Sequence, residues 1–117
     1  ADAQKMAGVL RMARQDAITS GQTSKVVFYS GSNRYKSYDS SSPLPVTYWL
    51  NKGNVILGNP NFTQKIGGNP VCAFYSSGAP SSGGTVILKN SSNQKLYVIV
   101  NPAAGRIRIS DKPPDNW

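Results

Sequence analysis

Gly83-Gly84-Thr85-Val86-Ile87-Leu88-Lys89 is followed by Leu96-Tyr97-Val98-Ile99-Val100 and then by Gly105-Arg106-Ile107-Arg108-Ile109. The first two runs are β-branched and apolar, and Asn90 to Gln94 is short enough to join them as a hairpin. Strands are therefore predicted over 84–89, 95–100 and 105–109. In the last run charged and apolar residues alternate. Successive strand side chains point to opposite faces, so Ile107 and Ile109 would meet a core while Arg106 and Arg108 stand together in water. Two positions along a strand span roughly 6.6 Å, a separation that suits neighbouring phosphates on one nucleic-acid strand.

Upstream, the texture is the same as far back as residue 23. Short runs rich in Val, Tyr, Thr and Phe alternate with Gly, Pro, Asn and Ser clusters. They predict strands over 23–30, 34–38, 46–50, 54–57 and 71–75. Residues 40–45 and Ser76 to Ser82 read as surface loops, and residues 101–105 as a turn. Before Gly21 the pattern changes. Met6, Val9, Leu10, Ala13, Ala17 and Ile18 recur at three- and four-residue spacing and predict one amphipathic helix over 2–20. Asp2 suits its first turn and Gly21 its end. Lys5, Arg11, Arg14 and Gln15 fall off the stripe and are expected on a solvated face. The expected class is α+β: a single domain of 1–117 with helix 2–20 packed on antiparallel sheet, a β-region 23–109 and a polar tail 110–117.

Composition narrows the chemistry. Thirteen Lys and Arg against five acidic residues, all Asp, give a net charge of +8 and a pI near 9.9. Such a balance favours a polyanionic partner. There is no His and a single Cys. Together with the absence of Glu, this removes the usual general bases and metal ligands, so no enzyme, metal or cofactor is expected. Cys72 sits in Val71-Cys72-Ala73-Phe74-Tyr75 and reads as a buried, inert thiol. No apolar stretch is long enough to cross a membrane. The opening Ala1-Asp2-Ala3 already lies within the helical pattern, as expected of a chain trimmed of a preceding segment.

One long helix, an all-β remainder, a hairpin and a Gly-Arg-x-Arg strand resemble the globular region of type IV pilin-like proteins, and more narrowly the GspH/FimT family of minor pilins and pseudopilins. The resemblance rests on Leu10, Ala13, Arg14, Ala17 and Ile18, on Gln22 and Val26-Val27-Phe28, and on Phe74, Gly78 and the C-terminal runs quoted above. Residues 30–70 lie outside it. It implies a pilin-like fold and no enzymatic activity. It also implies a membrane anchor through a helical segment absent from this sequence, and assembly with other pilins or pseudopilins at the bacterial surface or in the periplasm. FimT-like members resemble DNA receptors for natural transformation, whereas GspH-like members belong to type II secretion pseudopili.

Three functional readings follow. In the first, non-specific double-stranded DNA is held by Gly105, Arg106, Arg108 and Lys112, with Gly105 allowing close backbone approach and the arginines gripping phosphate. Lys5 and Arg11 would matter much less. In the second, the chain is a structural pseudopilin and its arginines only solvate an edge strand. The third notes that Arg34-Tyr35-Lys36-Ser37-Tyr38 interleaves cations and rings, as single-strand stacking platforms do. The N-terminal helix argues against a free barrel of that type.

Overall fold

The computed structural model describes residues 2–29, 33–38, 44–50, 55–57, 65–66, 69–81, 83–89, 94–102 and 105–112. Helix α1 spans Asp2–Ser20. It ends where Gly21 takes a positive φ of 73° and its amide donates to the Ala17 carbonyl at 3.0 Å. This is a left-handed cap, which glycine adopts without the steric cost of a Cβ. A Cβ at Gly21 would meet nothing within 4 Å, so Gly21→Ala should cost only the conformational term, about 1–2 kcal/mol. Urea unfolding measures it, and an unchanged midpoint would contradict the cap.

Nine strands follow among the described residues: β1 Ser24–Tyr29, β2 Arg34–Tyr38, β3 Val46–Trp49, β4 Val55–Leu57, β5 Lys65–Ile66, β6 Asn69–Phe74, β7 Gly84–Lys89, β8 Lys95–Val100 and β9 Ile107–Ser110. They form two sheets, ordered β3-β2-β1-β6-β5 and β4-β7-β8-β9. Every pairing is antiparallel, and the expected hairpin is present with Gly84 opposite Val100 and Lys89 opposite Lys95. Strand β5 was not expected, and its antiparallel partner β6 runs from Asn69 to Phe74, starting earlier than the apolar run suggested. The C-terminal strand begins at Ile107, not at 105, and runs through Ser110. The expected connection at 90–93 and the tail at 113–117 lie outside the described residues.

α1 straddles both sheets. Met6, Val9, Leu10, Ala13 and Ala17 are buried as the stripe predicts, and Ala3 and Ala7 extend it toward the N-terminus. They share one core with Val26, Phe28, Cys72 and Phe74 of the first sheet and with Val86, Leu88, Val98, Val100 and Ile107 of the second. Four of these helix residues are alanines, and their small side chains let the helix approach two sheets at once. Ile18 departs from the stripe and is exposed, its side chain lying by Gly78 rather than in the shared core.

Cys72 is fully buried within this core. Burial pushes its thiol up to about 12 from an ordinary value of 9.0. The folded state therefore holds the proton more tightly than the unfolded state between about pH 9 and 12, and this group's contribution to stability is lost as pH rises through that window. A thiol reagent at pH 8 should label Cys72 at the rate of unfolding. Rapid labelling of the native protein would contradict its burial.

Candidate nucleic-acid interface

Arg11 and Arg14 are not spectators on a solvated face. Arg11 Nη2 donates to the Ile107 carbonyl at 2.9 Å, and Arg14 Nε donates to the Gly78 carbonyl at 3.1 Å. The first contact follows from the ladder. The Asn101 amide donates to the Arg106 carbonyl at 2.8 Å, so residue 106 faces β8 and the next carbonyl, that of Ile107, faces outward. β9 ends its sheet, and Arg11 satisfies that outward carbonyl from the helix.

These contacts bring helix and strand together around one groove. It has a volume of about 520 Å³ and is lined by Arg11, Arg14, Gln15, Gly105, Arg106, Ile107 and Arg108. Four of the chain's five arginines line it, and its described lining holds no lysine and no carboxylate. Arg106 and Arg108 are exposed while Ile107 between them is buried. The expected alternation thus holds, although Arg106 precedes β9 itself. An Arg carries five N–H donors in a rigid fork. The carbonyl bond therefore fixes Arg11 without exhausting it.

Gly105 has a structural requirement of its own. Its φ is 74°, and a Cβ there would lie 2.5 Å from the Gly78 carbonyl oxygen and 3.3 Å from Arg14 Nε. It is buried, so its missing side chain serves close packing inside the fold and not the approach of a ligand to exposed backbone. The segment after β6, expected as a surface loop, is a tight turn in which Gly78 N donates to the Tyr75 carbonyl at 2.8 Å. Gly78 and Pro80 are buried against the helix and Gly105. Lys112 is exposed just past β9, its amide bonded to Ser110 Oγ at 3.1 Å, and it does not line the groove. The contribution of Arg11 was missed because helical periodicity separates apolar from polar faces but cannot say which strand edge borders the polar one.

A larger depression of about 820 Å³ lies by the start of α1. It carries Asp2 and Asp111 as well as Lys89 and Lys95, so it offers no preference for an anion.

The outer face of the first sheet also gathers cations. The register sets Tyr29, Arg34 and Trp49 side by side across β1, β2 and β3. The Arg34 guanidinium lies 4.3 Å from the Tyr29 ring centroid and 5.8 Å from that of Trp49. Lys36 lies 5.6 Å from the Tyr29 ring and Lys25 5.3 Å from the Tyr38 ring. Burial, then a side-chain hydrogen bond with Tyr38, raise the Tyr29 hydroxyl above its ordinary pKa. Tyr35 does not belong to this face. It is buried in the core and stacked on Tyr48 at 5.4 Å, and burial followed by the charge of Asp2 raises its pKa.

The sequence matches the family described as type II transport protein GspH over residues 2–105. No curated protein sequence matches it significantly. Among solved structures, the chain is similar to the Pseudomonas aeruginosa type IV minor pilin FimU, with a TM-score of 0.70 at 13% identity over 97% of this chain and 90% of that one. It is equally similar to EpsH, the minor pseudopilin of the Vibrio cholerae type 2 secretion system, with a TM-score of 0.70 at 16% identity over 93% of each chain.

Proposed function

The chain belongs to the GspH family of type II transport proteins, and from that premise we propose that it is a minor pilin or pseudopilin that binds duplex DNA non-specifically, for uptake, through the groove between α1 and β9. The observation that carries this reading is the gathering of four of five arginines into a groove with no carboxylate among its described residues. Arginine grips phosphate bidentately where lysine acts as a point charge. A groove whose described lining holds arginines and no lysine suits bidentate contact with the two non-bridging oxygens of a phosphodiester. Arg106, Arg108 and Arg11 would contact phosphate, and Lys112 would lie at the margin. Gly105 would act indirectly by setting the path of the chain into Arg106.

Under this reading the other partners are pilin subunits of the filament, and an apolar helical segment ahead of α1 would hold the protein in the bacterial cytoplasmic membrane before assembly. The filament would then present the β-domain at the cell surface or in the periplasm. The positive field of the whole protein would speed encounter with DNA, and phosphate contacts would carry no sequence information. Titration of random-sequence duplex DNA at low salt, read by fluorescence anisotropy, tests the reading. Binding should be equal for unrelated sequences and should weaken as salt rises. Absence of binding at low salt would leave the protein as a structural pseudopilin, with charges on β9 that merely discourage edge-to-edge pairing.

A further inference from the structure

We propose that the outer face of the first sheet is a second, separate nucleic-acid site that takes single strands, with Trp49, Arg34 and Tyr29 as its stacking row and Lys36 and Lys25 as its phosphate contacts. The inference does not rest on the arginine groove, which lies at the far sheet's edge.

Register builds the face. Antiparallel pairing sets Lys25 opposite Tyr38, Lys36 opposite Val27 and Thr47, and Arg34 opposite Tyr29 and Trp49. Residues two apart on each strand share a face, so these three rows lie on one side while Val26, Phe28 and Tyr35 point into the core. Val27, Val71 and Ala73 floor the face, with Tyr29 and Tyr38 packed against them. The described residues of the face include three cations and no carboxylate.

Chemistry then selects the occupant. Trp49 is 62% exposed, a large ring left in water beside a guanidinium. The Arg34 guanidinium lies over both the Tyr29 and the Trp49 ring. A base can extend the Trp49–Arg34–Tyr29 row through its own π-face, and its phosphate then falls beside Lys36. Duplex DNA cannot use this row, because its bases are already stacked and only its backbone is presented. A single strand supplies both groups, and it does so without sequence preference.

The test uses fluorescein-labelled oligo-dT and a duplex of matched length, titrated against the parent and against Trp49→Ala, Trp49→Phe, Arg34→Gln and Lys36→Gln. Trp49→Ala should weaken oligo-dT binding about tenfold, Trp49→Phe should retain most of it, and duplex binding should be unchanged by either. Arg34→Gln should weaken oligo-dT binding as well, and Lys36→Gln should flatten its salt dependence. Arg106→Gln with Arg108→Gln should show the reverse pattern, so failure here and failure of the groove are distinguishable. Trp49 lies outside the core, and thermal melts of each variant confirm a common fold. The proposal is overturned if the parent does not bind oligo-dT, or if Trp49→Ala and Arg34→Gln bind it like the parent. Equal sensitivity to Trp49→Ala with heparin, a polyanion without bases, would assign the face to acidic polysaccharide and overturn it too.

Discussion

Arg106→Gln combined with Arg108→Gln should weaken duplex DNA binding by roughly a hundredfold to ten-thousandfold, because each charge-assisted contact is worth about 1.5–3 kcal/mol. The log–log salt slope should fall in magnitude by about 1.8, some 0.9 for each phosphate released. The fold should survive, since both side chains are exposed and the register is held by Ile107 opposite Val100 and Ile109 opposite Val98. Adding Arg11→Gln should lower the slope again, by about 0.9 if it reaches a third phosphate. That last step separates the structural account from the reading by helical periodicity, in which Arg11 faces solvent and matters little. Arg11→Gln also removes the bond to the Ile107 carbonyl, so a loss of about 1 kcal/mol of stability should accompany it. A double variant that binds random duplex as tightly as the parent, with the same slope, would remove the groove as the site.

Gly105→Ala should cost about 2–5 kcal/mol of folding stability. Two terms add. An L-residue at a φ of 74° pays about 1–2 kcal/mol for the left-handed backbone. The new Cβ would also lie 2.5 Å from the Gly78 carbonyl oxygen, a backbone atom that cannot swing aside, and overpacking of this kind costs about 1–3 kcal/mol. Domains of this size are stable by only about 5–15 kcal/mol, so the midpoint of a urea transition should fall sharply. Gly21→Ala is the internal comparison, with the same backbone penalty and no steric contact. Equal losses at the two positions would contradict the close approach of Gly105 to Gly78. Duplex binding should weaken in Gly105→Ala as well, because the turn that aims Arg106 must shift.

Much of the fold was legible because its signals are local. The spacing of Met6, Leu10, Ala13 and Ala17 specifies a helix face, and the runs 84–89 and 95–100 specify a hairpin through a connection too short for anything else. Period-two alternation placed Arg106 and Arg108 outward with Ile107 inward. What was not legible depends on contacts distant in sequence. Arg11 meets Ile107 across 96 positions and Arg14 meets Gly78 across 64, and no periodicity within the helix encodes either partner. The same limit explains Gly105, whose requirement lies in the Gly78 carbonyl. The run 34–38 was legible only in part, for another reason. Its cations and rings look equivalent in sequence, but strand alternation sends Tyr35 into the core and keeps Arg34, Lys36 and Tyr38 outside. The division into two sheets was likewise hidden, since it depends on pairings between runs distant in sequence, such as β1 with β6 and β4 with β7.

The central claim is that DNA lies against the seam of α1 and β9. Backbone amide shifts of the ¹⁵N-labelled protein, followed through a titration with random-sequence duplex DNA, test it most directly. The account predicts that the largest changes fall on Gly105 to Lys112 and on the helix turn from Arg11 to Gln15, with the core strand β1 unmoved. Shifts that leave both of those segments unchanged, or that centre on the mixed-charge depression around Asp2, Lys89 and Asp111, would contradict it.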